Sequence, residues 1–281
     1  MSGTLFVVAT PIGNLEDITL RALRVLREAD LVAAEDTRRT AKLLGHHGIQ
    51  TRTLSFHAHN AHERTPALLL RMKAGERIAL VTDAGTPGVS DPGVELIRAC
   101  IDEGIAIDPV PGPSAVLTAA VASGFPLVPM TFAGFAPNRA KDRFVWLEDL
   151  ARIPHTVVFY EAPHRIQQTL DDAATVLGER QIVLGRELTK VHQEFLRGTA
   201  SGVLTQLRSP RGEFTVVIGP ADKPIDAVQA AASDEEIVAE FGRITDLAAL
   251  SRRQAVVAVA RKYGRPAREV YAAVERSKNL G

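Results

Sequence analysis

Short apolar runs alternate, over the first half of the chain, with longer segments in which apolar positions recur at helical spacing. The apolar runs predict strands, and the periodic segments predict helices. Strands are predicted at 5–9, 31–34, 53–56, 78–82 and 105–110, and helices at 15–29, 38–44, 61–73, 94–103 and 114–122. Strands that alternate with helices are typical of a parallel sheet, so the pattern predicts a doubly wound α/β domain at 1–123.

A second α/β domain is predicted at 124–222, after a Gly- and Pro-containing linker at 124–129. Its predicted strands are 131–133, 156–160, 181–184 and 213–218, and its predicted helices are 142–150, 165–177 and 199–207. The same alternation therefore predicts two doubly wound α/β domains in one chain.

The remainder, 225–281, is rich in alanine and has the pattern of a small helical extension. Ser233 and Glu236 have the spacing of a capping box and predict a helix start. Segments 251–263 and 268–276, joined by Gly264-Arg265-Pro266, resemble a helix-turn-helix. Two interpretations of this basic tail stay open, namely a solvated helical cap or a surface that contacts RNA phosphates. From position 251 onward its basic residues are Arg252, Arg253, Arg261, Lys262, Arg265, Arg268, Arg276 and Lys278, against the two acids Glu269 and Glu275.

Three loops rich in glycine and proline each follow a predicted strand and precede a predicted helix. They are 9–14, 82–93 and 111–115. Open α/β sheets bind ligands at the carboxyl ends of their strands. Glycines let a ligand approach the backbone, and prolines stiffen a loop. The three loops therefore predict one ligand that is held largely by backbone groups.

Composition narrows the classes of function. With 281 residues, 46% hydrophobic and 23% charged, the chain has the composition of a globular protein, and its net charge of zero produces no global attraction for nucleic acid. The single cysteine, Cys100, excludes a disulfide framework and is expected to be a buried apolar side chain in a cytoplasmic protein. We find neither a membrane-spanning apolar run nor a signal-peptide pattern.

Seven segments, in order, identify a resemblance. They are ATPIGNLEDITLRAL (9–23), AAEDTR (33–38), DAGTPGVSDPG (83–93), PGPSA (111–115), FYEAPHR (159–165), RELTK (186–190) and RGEF (211–214). With them the chain resembles the enzymes of the tetrapyrrole-methylase fold, and within these the small-subunit ribosomal RNA cytidine 2′-O-methyltransferases. One departure is Ala58, which stands in the segment SFHAHN (55–60) where the family tends to carry an acid.

The resemblance implies two α/β domains with S-adenosylmethionine between them, a homodimer, and a target cytidine in the decoding region of 16S ribosomal RNA in the small ribosomal subunit. It implies that the first-domain loops line the methionine side of the cofactor and that second-domain residues flank the adenosyl group. The implied cofactor residues are Pro11, Asp83, Ala84, Gly85, Pro87, Ser114 and Ala115, and then Tyr160, Glu161, Leu188 and Glu213. Ser114 and Ala115 are expected at a helix N-terminus, where N–H groups favour an anion.

Methyl transfer requires an aligned nucleophilic oxygen and an acceptor for its proton. Glu35 and Asp36, beside arginines at the end of a strand, are candidates, although Asp36 has an alternative role as a helix N-cap. His57 is a candidate because histidine is the side chain that ordinarily exchanges a proton near neutral pH, although a lone histidine is more often a polar surface contact. Lys190 is a candidate to orient the ribose or stabilise its oxyanion, with a surface salt bridge as the alternative.

Substrate contacts are expected from local patches rather than from the whole surface. The candidates are Arg38, Arg39, Asn60, Arg139 and Arg165. The spacing of His57, His59 and His62 fits no common zinc motif, so no metal is expected.

Two other functions stay open. A tetrapyrrole carries many carboxylates and would also favour arginines in the site, so a methyltransferase acting on a tetrapyrrole carbon is one alternative. The other is an inactive RNA-binding assembly factor that keeps the cofactor as a structural ligand. The basic tail argues against the first alternative, and the acidic and basic groups at 35–39 argue against the second.

Overall fold

A computed structural model describes residues 3–221, 233–247, 252–263 and 265–278. Of the predicted features, the domain boundary at 222, the helix start at Ser251 and the turn residue Gly264 lie outside these residues. The chain forms two compact units. One contains the chain up to Thr118 together with Glu187–Gln193, and the other contains Ala119–Arg186 together with the chain from Glu194 onward. The domain boundaries at 123 and 222 stay predictions.

The first unit alternates strands and helices as predicted. Its elements are β1 (Thr4–Val8), α1 (Leu20–Glu28), β2 (Leu31–Ala34), α2 (Thr37–His46), β3 (Thr53–Ser55), α3 (Ala61–Lys73), β4 (Arg77–Val81), α4 (Val94–Asp102), β5 (Ala106–Val110) and the start of α5 (Ala115–Ser123). The strands pair in parallel in the order β3-β2-β4-β1-β5. The prediction of a parallel sheet is confirmed here, and the loops after β1, β2, β4 and β5 emerge at one edge of it.

Successive side chains of each strand supply two separate apolar layers, one on each face of this sheet. On β4, Ala79 packs with the cluster that includes α1 and α2, whereas Leu80 packs with α3 and α4. Cys100 belongs to the second cluster and is fully buried, and burial raises the pKa of its thiol to about 11. The prediction that it is a buried apolar side chain is confirmed.

The predicted single helix at 15–29 is wrong, because this segment forms two pieces. A short 3-10 turn covers Leu15–Asp17, and Asn14 caps it by accepting a hydrogen bond from the backbone N–H of Glu16. Thr19 then caps α1 through its hydroxyl oxygen, which accepts from Ala22 N–H at 3.0 Å. Two cap residues so close together start two elements rather than one.

The second unit holds another five-stranded sheet. Its elements are β6 (Met130–Phe135), α6 (Ala140–Ala151), β7 (Thr156–Glu161), α7 (Ile166–Leu177), β8 (Gln181–Arg186), β9 (Glu194–Thr199), α8 (Ala200–Gln206) and β10 (Phe214–Ile218). The strand order is β6-β7-β10-β8-β9. Only β6 and β7 pair in parallel, and the other neighbouring pairs are antiparallel.

The second sheet is therefore mixed rather than parallel, and it contains a strand that the pattern does not predict. Strand β9 pairs with β8 alone and lies at the edge of the sheet. Its sequence EFLRGT mixes charged, small and apolar residues and has only Leu196 buried, so it lacks the continuous apolar run that predicts a strand.

Among the residues described after 232, the chain forms three helices: α9 (Asp234–Leu247), α10 (Arg252–Tyr263) and α11 (Ala267–Lys278). The capping box is confirmed, because Ser233 N–H donates to the Glu236 carboxylate at 2.8 Å and Glu236 N–H donates to the Ser233 hydroxyl at 3.2 Å. The helices share an apolar cluster that includes Ile237, Val259 and Val270. None of the helices within the described part of the chain is both long and apolar enough to cross a membrane.

Candidate functional site

The loops after β1 and β4 are joined by their backbones at the carboxyl edge of the first sheet. Thr10 N–H donates to Gly85 C=O at 2.9 Å, and Gly85 N–H donates to Thr10 C=O at 3.0 Å. The Thr10 hydroxyl donates to Thr82 C=O at 3.0 Å. Gly85 has a φ of 79°, which L side chains rarely adopt, so a glycine is needed for this pairing. The adjoining Pro11 and Pro87 are buried, whereas Ala84 is partly exposed.

The loop after β5 lies beside the loop after β1. A Cβ added to Gly112 would lie 3.0 Å from the Cβ of Ala9, so the two backbones approach closely. Ser114 precedes α5, and its hydroxyl accepts from Leu117 N–H at 3.4 Å. Ser114 and Ala115 thus lie at a helix N-terminus as expected, and their contact with a cofactor stays a prediction.

Several carboxylates lie together at the ends of β2 and β4. Asp83 N–H donates to the carboxylate of Glu35 at 3.1 Å, and Asp36 N–H donates to the carboxylate of Asp83 at 3.1 Å. Asp91, on the same loop as Asp83, belongs to this group. Its partial burial, followed by the negative charges of Glu35 and Asp83, raises the pKa of Asp91 to about 7.

This group of carboxylates fits the predicted cofactor. S-adenosylmethionine carries a sulfonium and an ammonium, and the negative charge of Glu35 and Asp83 favours cations at this edge. The backbone of Gly85, which lacks a side chain, leaves room for a close approach. Within the described residues, no group of three or more His, Cys, Asp and Glu side chains is arranged to hold a metal ion.

Asp36 caps a helix and is a poor candidate for a general base. Its carboxylate accepts from Arg38 N–H at 2.8 Å and from the Arg38 guanidinium at 2.7 Å. These hydrogen bonds lower the pKa of Asp36 to about 2, so it has little tendency to take up a proton at neutral pH. Asp36 is the N-cap of α2, which was its alternative role, and its candidate catalytic role stays a prediction that the low pKa does not favour.

The two neighbouring arginines present charge to solvent. The side chain of Arg38 is 90% exposed despite its ion pair with Asp36. Arg39 is 64% exposed, and its Nε lies 3.5 Å from the carboxylate of Asp83. Both guanidinium groups are accessible to a phosphate, so their role as substrate contacts stays a prediction.

His57 and Asn60 form a closed turn after β3. The Asn60 side-chain oxygen accepts from His57 N–H at 2.8 Å, and its amide nitrogen donates to Ser55 C=O at 3.2 Å and lies 3.3 Å from His57 Nε2. The Asn60 amide is thus used within the turn, which argues against the predicted substrate contact. His57 Nδ1 is buried and has no hydrogen-bond partner among the described residues, so the contacts within the turn do not use this nitrogen.

Leu188 and Lys190 lie in the first unit, not with the second-domain residues with which Leu188 was expected. Leu188 is buried, and the Lys190 ammonium lies 2.9 Å from the Glu187 carboxylate. A Cβ on Gly13 would lie 2.5 Å from Lys190 Cγ, so this segment packs directly on the loop after β1. The predicted salt bridge of Lys190 is present, and its role in catalysis stays a prediction.

Two of the residues predicted in the second unit serve its internal structure. The side chain of Glu161 is fully buried, pairs with Arg165 at 2.9 Å and accepts from the Thr169 hydroxyl at 2.5 Å. Arg165 is 13% exposed and also donates to Ala136 C=O. Because these charges are paired and shielded, the expected adenosyl contact of Glu161 and substrate contact of Arg165 are not supported for their side chains.

The other predicted residues of this unit are more open. Tyr160 is half-buried, with its ring 5.1 Å from that of Phe132 and 5.2 Å from that of Phe135. Glu213 is exposed immediately before β10, and Arg139 is exposed immediately before α6. Their binding roles stay predictions.

The basic tail is largely neutralised by ion pairs. Among the side chains that the structure describes, five of the predicted cations pair with carboxylates, namely Arg252 with Glu275, Arg253 with Asp172, Lys262 with Glu240, and both Arg265 and Arg276 with Asp234. The count of charged residues that starts at position 251 leaves out the acidic residues of α9. From Ser233 to Lys278 the chain holds nine basic and seven acidic residues. This balance favours the interpretation of a solvated helical cap.

The carboxylate of Asp91 and the packing of residues 187–190 on Gly13 are features that the sequence pattern missed. Asp91 lies in the same Gly- and Pro-rich loop as Asp83, which was a usable signal. The packing on Gly13 joins residues about 175 positions apart, and no local pattern reveals it.

Comparison with known proteins gives a consistent picture. The family model described as Tetrapyrrole (Corrin/Porphyrin) Methylases matches residues 4–203. A protein of Halalkalibacterium halodurans named ribosomal RNA small subunit methyltransferase I is 43% identical over 274 residues, which cover 96% of this chain and 93% of that protein. A protein of the same name from Synechocystis sp. is 44% identical over 275 residues, which cover 96% of each.

Solved structures share the fold. The uroporphyrin-III C-methyltransferase from Thermus thermophilus, solved in complex with S-adenyl homocysteine, superposes with a TM-score of 0.55 at 19% identity and covers 77% of this chain and 97% of that chain. This likeness supports the two-sheet architecture, whereas the closer sequence relatives show the narrower group. The chain therefore belongs to the tetrapyrrole methylase family and, within it, to the group of the ribosomal RNA small subunit methyltransferase I proteins.

Proposed function

We propose that this protein transfers a methyl group from S-adenosylmethionine to the 2′-oxygen of a cytidine ribose in the decoding region of 16S ribosomal RNA. The observation that carries the proposal is the identity of 43–44% with proteins named ribosomal RNA small subunit methyltransferase I over 96% of this chain. The carboxyl-edge loops of the first sheet support the same class of reaction.

The first unit supplies the groups that hold the cofactor. Gly85 offers backbone without a side chain, and Ser114 and Ala115 offer the N–H groups of a helix start. The carboxylates of Glu35 and Asp83 attract the positive charge of the cofactor. When bound, S-adenosylmethionine supplies an activated methyl group on a sulfonium leaving group. The protein then needs to align the ribose hydroxyl and remove its proton.

Proton removal is assigned to the carboxylates and to His57 rather than to Asp36. Asp91 has a pKa of about 7, the range in which a side chain exchanges a proton at neutral pH. Glu35 lies in the same group through its hydrogen bond to Asp83 N–H. Asp91 therefore joins Glu35 and His57 as a candidate acceptor.

Contact with RNA is assigned mainly to exposed cations near this edge. Arg38 and Arg39 have exposed guanidinium groups at this edge, and phosphate recognition favours arginine. In the second unit, the exposed Arg139 is a further candidate contact with the RNA. Because the tail is nearly neutral, it contributes less than its arginine count indicates.

The test is methylation of small ribosomal subunits that lack the modification. Purified protein is incubated with methyl-labelled S-adenosylmethionine and these subunits, and label is mapped by nuclease digestion and mass spectrometry. Label on the ribose of one cytidine is the expected result. Label on a base contradicts the proposed 2′-oxygen target. No label on RNA, despite measurable binding of S-adenosylhomocysteine, contradicts the proposal and favours a small-molecule methyltransferase or an inactive RNA-binding factor.

A matched pair of variants links the activity to the site. Gly85→Arg places a large side chain in the loop pairing, whereas Gly45→Ala adds a methyl group in α2 where no atom lies within 4 Å. Only the first is expected to lose activity.

We also propose a homodimer, and light scattering of the purified chain at several concentrations tests it.

A further inference from the structure

The loop at Glu187–Gln193, called here the 187–193 loop, packs on Gly13 in the loop after β1. A Cβ at Gly13 would lie 2.5 Å from Lys190 Cγ, 2.7 Å from the Thr189 hydroxyl oxygen and 2.8 Å from Leu188 C=O. The Leu188 carbonyl oxygen belongs to the backbone and the Thr189 hydroxyl to a short branched side chain, so neither can move aside as the end of a long side chain can. Position 13 therefore requires glycine for the observed contact.

A hydrogen bond joins the same two loops. Asn14 N–H donates to the Thr189 hydroxyl at 3.0 Å, while the Asn14 side chain caps the following 3-10 turn. The loop after β1 is also paired to Gly85 through Thr10. The 187–193 loop is thus connected, through one turn of chain, to the loops that form the candidate cofactor site.

The 187–193 loop has an unusual backbone that its own contacts hold in place. Glu187 and Thr189 have φ values of 50° and 64°, and a β-branched residue rarely adopts such a value. Thr189 N–H donates to the Gln193 side chain at 2.7 Å, and Lys190 N–H donates to Glu187 C=O at 3.0 Å. A strained conformation held by several contacts is typical of a functional segment.

The consequence is a defined place for the Lys190 ammonium. Its stem crosses Gly13, and its Nζ lies 2.9 Å from the Glu187 carboxylate with both side chains mostly shielded. A lysine fixed in this way keeps its charge in one position and loses less freedom when it contacts a substrate.

We propose that Gly13 and Thr189 are positioning residues for methyl transfer, which fix the 187–193 loop on the loop after β1 so that Lys190 is aligned with the sugar-phosphate backbone of the target nucleotide. This inference rests on the proposed function. It adds two residues that do not touch the substrate and act through Lys190.

The first measurement is hydrogen exchange of the full-length protein without ligand. In Gly13→Ala and Thr189→Val, amides of the 187–193 loop are expected to exchange about tenfold faster or more, because local opening sets their protection. Thr189→Ser keeps the hydroxyl that accepts from Asn14 and is expected to preserve protection. Gly45→Ala is the control for the added methyl group. Unchanged exchange in both Gly13→Ala and Thr189→Val overturns the proposal.

The second measurement separates catalysis from cofactor binding. Misplacement of Lys190 in Gly13→Ala and Thr189→Val is expected to lower kcat for methylation of small subunits by on the order of 10²-fold. The Kd for S-adenosylhomocysteine, measured by calorimetry, is expected to stay within about threefold, since the lost interaction acts on the transition state. Thr189→Ser is expected to recover most of kcat.

Three outcomes contradict the inference. One is faster exchange with unchanged kcat, another is a loss of kcat that Thr189→Ser does not recover, and the third is a loss that falls entirely on cofactor binding. Failure of the proposed function is distinguishable, because a wild-type protein that methylates no RNA rejects the catalytic role while hydrogen exchange still decides whether the loop contact exists.

Discussion

We predict that Asp91 lowers the stability of the folded protein at neutral and alkaline pH and that Asp91→Asn removes this effect. The carboxyl of Asp91 has a pKa of about 7 instead of 3.8, first because it is partly buried and then because Glu35 and Asp83 are negative. The folded protein therefore binds this proton more tightly than the unfolded chain. Stability from this source is complete below about pH 4 and is lost as the pH rises to about 7.

The magnitude follows from the difference between the two pKa values. A difference of about 3 corresponds to about 4 kcal/mol for a group fully shielded from water. Asp91 is partly exposed, so solvent screening reduces this to about 1–2 kcal/mol. At about 2–4 °C per kcal/mol for a chain of this size, Asp91→Asn is expected to melt a few degrees higher than wild type at pH 8.

The assay is thermal unfolding followed by circular dichroism between pH 4 and pH 8. The stabilisation of Asp91→Asn over wild type is expected to be absent near pH 4, to grow through pH 7 and then to level off. Glu95→Gln, which removes an exposed carboxylate from α4, is the control and is expected to show no such trend. Equal melting temperatures at pH 8, or a difference that does not depend on pH, refute the reasoning.

Three other predictions concern single residues. Asp36→Asn keeps an oxygen that can cap α2, so methyl transfer is expected to persist, and a rate loss of 10²–10⁴-fold in steady-state kinetics would restore Asp36 as a general base. Asp172→Ala leaves Arg143, which is 1% exposed, without its carboxylate and is expected to cost about 3–5 kcal/mol in urea unfolding, whereas Arg253→Ala, at an exposed partner, is expected to cost about 1 kcal/mol. Equal costs would show that burial does not govern this pair of contacts. Gly85→Arg is expected to abolish calorimetric binding of S-adenosylhomocysteine, and unchanged binding by a folded variant would remove the loop from the cofactor site.

The cost of Asp91 to stability has a direct bearing on function. Groups that work at an active site are commonly destabilising, because their charge or burial is set by the reaction rather than by folding. Asp91→Asn is thus expected to combine higher stability with slower methylation. A variant that gains stability and keeps full activity would assign the titration of Asp91 to structure alone.

Local patterns in the sequence determined the strands of the first unit and its helices apart from the break at 18–19, the capping box at Ser233 and the burial of Cys100. They also determined which loops lie at the carboxyl edge, because parallel strands joined by helices all end on the same side. Apolar periodicity and cap residues act over a few positions, so one segment is sufficient to reveal them.

Long-range packing decided the rest. Strand β9 shows no apolar run because it is a half-exposed edge strand. Its partner β8 precedes it in the chain, and the loop between the two strands belongs to the first unit. The partner of each charged side chain also depends on the tertiary structure. Glu161 is paired with Arg165, whereas Asp91 lies near other carboxylates. The sequence alone identified the residue types and the edge where they gather, but the partner of each charge depends on contacts between distant segments, and those exist only once the chain has folded.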